Sequence, residues 1–168
     1  MPLDLVVRVL PVTREWAEAL AEGDKVFGER FGVGVEAGWL GFPEALPLIL
    51  EAGRRDRPDP WGPHLLFAAD DGALVGNGGW KGAPVDGAAE LGYAVAPSRQ
   101  GRGIATAVVR ELVGRARNAG LRTVVAHTLA DESASTRVLT KCGFVRIAES
   151  VDPVDGRIWR WELDLPTV

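Results

Sequence analysis

The sequence predicts a mixed α/β fold: one sheet with helices packed on its faces. Three observations lead there. "HLLFAA" and "ALVGNGGW" flank Asp70-Asp71-Gly72, and Asp-Gly between apolar runs is a strong hairpin signal. "AAELGYAV" reads as a strand that runs through a glycine-rich loop into a helical pattern ending at Gly120. Near the C-terminus, Trp159, Trp161 and Leu163 alternate with Arg160, Glu162 and Asp164, the period of a half-buried strand.

The remaining elements fall between these. Leu5 to Leu10 is a short strand closed by Pro11. "VTREWAEALAEGDK" is a helix capped by Thr13, with Glu15 and Glu18 in its early turns and Gly23 at its end. Gly28 to Gly41 is glycine-rich and reads as a loop. "PEALPLILEAGRR" is a second helix, from Pro43 to Gly53, with Pro47 arguing for a late start. After the hairpin and "AAELGYAV", a helix spans about Gly103 to Asn118. "LRTVVAHTL" is a strand, and "DESASTRVLTKCG" is a short helix ended by Gly143. "FVRIAESV" and "GRIWRWELDL" form a last hairpin around "DPVDG". The expected order is strand, two helices, three strands, helix, strand, helix, two strands.

At 168 residues the chain suits one domain able to bury a real core. A net charge of −4 argues against a basic nucleic-acid face. One cysteine, Cys142, excludes an intrachain disulfide and a cysteine zinc site. His64 and His127 are far apart and lack metal-ligand spacing, so no metal is expected. The N-terminus lacks a basic start, and no apolar run reaches the ~18 residues of a membrane helix. The expectation is a cytoplasmic protein without a membrane or nucleic-acid partner. Six tryptophans are scattered through the chain and read as packing residues.

The chemistry concentrates in "SRQGRGIAT". A helix N-terminus presents unpaired N–H groups and partial positive charge. Glycines let an anion approach those donors, and Arg99 and Arg102 add full charges. The loop is therefore a phosphate site. It lacks the Gly-Lys-Ser/Thr end of a Walker loop. It lacks both the third glycine of a dinucleotide fingerprint and the acidic residue ~20 positions on.

"RQGRGIA" resembles the Gln/Arg-x-x-Gly-x-Gly/Ala loop of the GNAT superfamily of acetyl-CoA-dependent N-acetyltransferases. Gln100, Gly103 and Ala105 fall on its defining positions. "DESASTRVLTKCGF" resembles a second family segment, and "AELGYAV" resembles the strand before the loop in the RimJ/RimL-like branch. The resemblance implies a single GNAT domain over 1–168. Its central sheet would be mixed, mostly antiparallel, with six to seven strands and a splay around the cofactor arm. It implies that Gln100, Gly101, Arg102, Gly103, Ile104, Ala105 and Thr106 hold the coenzyme A diphosphate, with Arg99 and Arg102 facing phosphates. Backbone at Tyr93, Ala94 and Val95 would pair with the pantetheine arm and polarise the acetyl carbonyl. Ser135 would lie near the thiol. Glu132 replaces the family's frequent asparagine, and Leu139 stands where many relatives have an acidic tyrosine.

Catalysis by such a site is attack of an amine on a thioester. Freeing a lysine-like amine at pH 7 costs ~4.6 kcal/mol, an α-amino group only ~1.4 kcal/mol. Glu90 is the expected base, acting through water, and His127 at the cleft mouth binds acceptor or serves as base. Cys142, following Val138 at helical spacing, reads as a packed thiol. Arg137 and Lys141 read as solvated helix charges. Trp39, Phe42, Trp61 and His64 are candidates to line the acceptor entrance. The expected function is acetyl transfer to a small amine or a protein N-terminus, with a homodimer consistent with the branch. The alternative is a sensor or scaffold of the same fold that binds acyl-CoA without turnover.

Overall fold

A computed structural model describes residues 5–166. Seven strands form one sheet in the order β1-β2-β3-β4-β5-β7-β6. They are β1 Val7–Pro11, β2 Pro63–Ala68, β3 Leu74–Trp80, β4 Ala88–Val95, β5 Thr123–Leu129, β6 Val145–Asp152 and β7 Gly156–Asp164. Every neighbouring pair is antiparallel except β4 and β5. The helices are α1 Arg14–Glu22, α2 Asp24–Phe31, α3 Ala45–Ala52, α4 Ile104–Asn118 and α5 Ala134–Lys141.

The sheet separates two cores. On one face α4 lays Ile104, Val108, Leu112 and Ala116 against Val9, Leu66, Val75, Leu91 and Val124. These α4 positions recur every four residues, the spacing of one helix face. On the other face Leu20, Phe27 and Ile49 of α1–α3 cover Leu65, Phe67 and Leu74. Alternation along the strands sorts the side chains: Leu66 and Ala68 go one way, Leu65 and Phe67 the other.

The expected order of elements holds with one addition. Part of the glycine-rich segment read as loop is helix α2. Gly28 lies inside that helix, and glycines at either end set its boundaries. Gly23, at φ +121°, breaks the chain between α1 and α2. Gly32, at φ +64°, ends α2 in the left-handed conformation that glycine adopts without strain. Pro47 lies in the first turn of α3, where its missing N–H removes no helical bond. The first strand starts two residues later than expected, and Pro11 belongs to it.

Candidate active site

Strand β4 pairs with β3 from Leu91↔Trp80 to Val95↔Gly76. Its pairing with β5 covers only Ala88↔Thr123 to Glu90↔Val125. Past Glu90 the two parallel strands diverge, which is the splay that the family resemblance implies. The register fixes which backbone groups face the gap. Lys81 N–H donates to Glu90 O and Ala96 N–H to Val75 O. Antiparallel residues alternate in bonding direction. Glu90, Gly92 and Ala94 therefore turn their amides to β3, while Tyr93 and Val95 turn theirs to the gap. Of the three expected backbone contacts, Ala94 is the one committed elsewhere.

Beyond β4, Pro97–Arg99 form one 3₁₀ turn and the glycine loop opens α4. Gly101 and Gly103 have φ of +77° and +81°, and a Cβ added at either meets nothing within 4 Å. Gly103 is the N-cap of α4 and offers no side chain to the helix. The amides of Ile104, Ala105 and Thr106 thus begin a helix without an internal partner. Arg102 is exposed beside them, as is Gln100, whose side-chain amide donates to Val95 O at 3.0 Å. An open groove of about 640 Å³ runs along the outer face of α4, bordered by Gly103, Thr106, Ala107, Arg110 and Lys141.

Arg99 does not face this cradle. Its side chain is buried, with Nη2 donating to Asp71 Oδ2 at 2.6 Å and to Glu36 Oε1 at 3.1 Å. Ser98 Oγ adds a 2.6 Å bond to Glu36 Oε2. The Arg99 guanidinium holds the Asp71 carboxyl down at about 2. Glu36 is lowered as well, by Ser98 first and Arg99 second. The expected phosphate ligand instead straps the start of the loop to the β2–β3 turn and to the segment after α2. The sequence signal was an arginine beside glycines; the competing acids lie 28 and 63 residues away.

Tyr93 reaches from β4 across to α5, where its hydroxyl donates to Ser135 O at 3.2 Å. Burial pushes this phenol up to about 12. Ser135 sits in the first turn of α5, which is capped by Ser133 and Thr136 in a reciprocal capping box. Leu139, at the position of the missing tyrosine, is fully buried core. Cys142 is half-buried against Thr106, and desolvation raises its thiol.

Glu90 and His127 meet on the sheet face opposite α4, at the fork. His127 Nδ1 lies 2.5 Å from Glu90 Oε1. Lys81, which no sequence signal picked out, lies with Nζ 2.7 Å from Glu90 Oε2. Only the cross-strand register brings these three together. The connection between α2 and α3 covers the same face. Asn77 Nδ2 donates to both Trp39 O and Leu40 O, and Gly41 leaves no room for a Cβ above Ala94. Phe42 is exposed there, as an acceptor-lining residue would be. Trp39 and His64 are buried, and Trp61 packs on Trp80, so these three expected lining residues serve packing.

The acetyltransferase (GNAT) domain family model matches residues 33–145. The chain belongs to this family. No curated protein sequence matches it. Solved structures share the fold at low identity. A GNAT-family acetyltransferase from Bacillus anthracis is 11% identical over 94% of each chain, with a TM-score of 0.67. A chimera of the spermidine N-acetyltransferase SpeG from Vibrio cholerae and hSSAT is 14% identical over 94% of this chain and 95% of its own, at 0.68. The microcin C7 self-immunity acetyltransferase in complex with acetyl-CoA and AMP is 15% identical over 96% and 94%, at 0.66. The protein is thus a GNAT acetyltransferase by family, with a seven-stranded sheet of that fold. No helix among the described residues is long and apolar enough to cross a membrane.

Proposed function

We propose that this GNAT protein moves an acetyl group from acetyl-CoA to the primary amine of a small molecule or protein N-terminus, by direct attack in a ternary complex. The observation that carries the reading is the fork after Glu90. It opens between the amides that start α4 and a carboxylate–imidazole pair on the opposite face. The RimJ/RimL-like strand "AELGYAV" supplies both the fork and Glu90.

The donor set suits coenzyme A. Free amides at Ile104, Ala105 and Thr106, two glycines with open space above them and an exposed Arg102 match a diphosphate. When bound, the cofactor supplies an acetyl thioester, whose thiolate leaves readily. The amides of Tyr93 and Val95 are the chain's groups for aligning an extended arm and polarising a carbonyl; one such donor is worth ~2.7–4 kcal/mol in other acyl-transfer enzymes. Tyr93 holds Ser135 and α5 in place from inside the gap. A phenol at about 12 is a poor proton donor, so leaving-group departure rests on the thiolate's own stability. Glu90 and His127 manage the proton of the acceptor.

The test is purified protein with acetyl-CoA and a panel of amines, measuring free thiol. Steady release that requires an amine is expected. Tight binding of acetyl-CoA with no amine-dependent release would defeat the proposal and leave a binding module.

A further inference from the structure

Glu90 of β4 bridges Lys81, the residue after β3, and His127 of β5. One oxygen faces Lys81 Nζ at 2.7 Å and the other faces His127 Nδ1 at 2.5 Å. An ionised carboxylate only accepts hydrogen bonds, so its contact with the imidazole needs N–H on Nδ1. That tautomer leaves the lone pair on Nε2. No hydrogen bond to Nε2 forms among the described residues, and the His127 side chain is 26% exposed. Both oxygens of Glu90 are occupied, whereas the imidazole has a nitrogen to spare.

The charges around the pair come from every neighbouring strand. Arg160 of β7 stands directly opposite His127, and its Nε donates to Glu162 Oε2 at 2.9 Å. Asp152, at the end of β6, accepts the amides of Asp155 and Val154, and Lys81 and His127 lower its carboxyl further. Of these carboxylates, Glu90 is contacted on both oxygens, Glu162 on Oε2 by Arg160, and Asp152 on Oδ1 by the amides of Val154 and Asp155.

We propose that Lys81 and Glu90 are positioning residues that make His127 Nε2 the proton acceptor, restricting the acceptor to an amine of α-amino basicity. The inference rests on the acetyltransferase reading and names the acceptor class within it. In the step, the neutral amine nitrogen forms a bond to the acetyl carbon. The carbon–sulfur bond breaks, and its electron pair leaves on sulfur. The nitrogen's surplus proton passes to Nε2, Nδ1–H stays on Glu90, and the imidazolium then yields a proton to the thiolate or to water. At pH 7 about one α-amino group in ten is already neutral, against about one alkylamine in 2,500. An imidazole adds little toward stripping an alkylammonium, so the acceptor's own pKa governs the choice.

The experiment measures kcat/KM against pH for glycinamide, n-propylamine and spermidine, with acetyl-CoA binding followed by calorimetry. The wild-type protein is expected to favour glycinamide at least 30-fold at pH 7.5. Lys81→Met should lower kcat for glycinamide tenfold or more and move the acid limb of the profile, with acetyl-CoA affinity within twofold. Lys81→Arg should restore both, and His127→Asn should remove the limb. Wild-type preference for propylamine or spermidine overturns the inference. So does a Lys81→Met profile identical to wild type in a protein that turns over. Failure of wild-type protein to bind acetyl-CoA overturns the transferase reading itself, and the inference with it.

Discussion

Gly103 caps α4 at φ +81°, and a Cβ added there meets nothing within 4 Å. Gly103→Glu therefore tests the cradle with little disturbance of the packing. A non-glycine residue in this left-handed conformation costs about 1–2 kcal/mol, against a typical domain stability of 5–15 kcal/mol. The protein should stay folded. The new carboxylate rises into the space over the Ile104, Ala105 and Thr106 amides. If each amide contributes about 1 kcal/mol to anion binding, blocking three costs about 3 kcal/mol. That is about a 100-fold rise in Kd. Gly103→Ala, with the same backbone penalty and no charge, should lose far less. Calorimetric titration with acetyl-CoA, paired with a thermal melt of each variant, separates the effects. A Gly103→Glu protein that binds acetyl-CoA with wild-type affinity would refute the assignment of the loop.

Two further outcomes follow from buried polar groups. His64 is fully buried, with Nδ1–H donating to Gly62 O at 2.8 Å and Nε2 without a partner, and desolvation lowers its pKa in the fold. The unfolded chain therefore binds this proton more readily. Its stability contribution is complete above about pH 6.5, the unfolded value, and drains away as pH falls through the lower folded value. Denaturant melts from pH 7.5 to 4.5 should show that slope, and His64→Leu should flatten it; an identical slope in the variant removes His64 as its source. Arg99→Met should raise the KM for acetyl-CoA severalfold more than it changes the acceptor's KM, because it frees the start of the proposed cofactor loop from Asp71 and Glu36. Equal effects on both substrates would mean that Arg99 supports the fold generally.

Local chemistry in the chain reached a long way. Asp-Gly at residues 71 and 72, alternation in β7, and the glycines around α4 and α5 are all satisfied by near neighbours, so their elements were readable in order. The proposed cofactor cradle is equally local. Its donors are consecutive amides, and two nearby glycines give them access. Glu90 and His127 were readable one at a time as candidate bases. What short-range patterning cannot specify is register and long-range pairing. Arg99 looked like a phosphate ligand because its acids are distant in the chain. His64 looked like a cleft residue because nothing nearby marks its burial between Pro11 and Gly78. Lys81 carries no motif at all. Its partnership with Glu90 and His127 exists because β3, β4 and β5 align at one register and then part. Pairing across a sheet depends on which strands close against each other, and a run of residues in one strand holds no record of its neighbour.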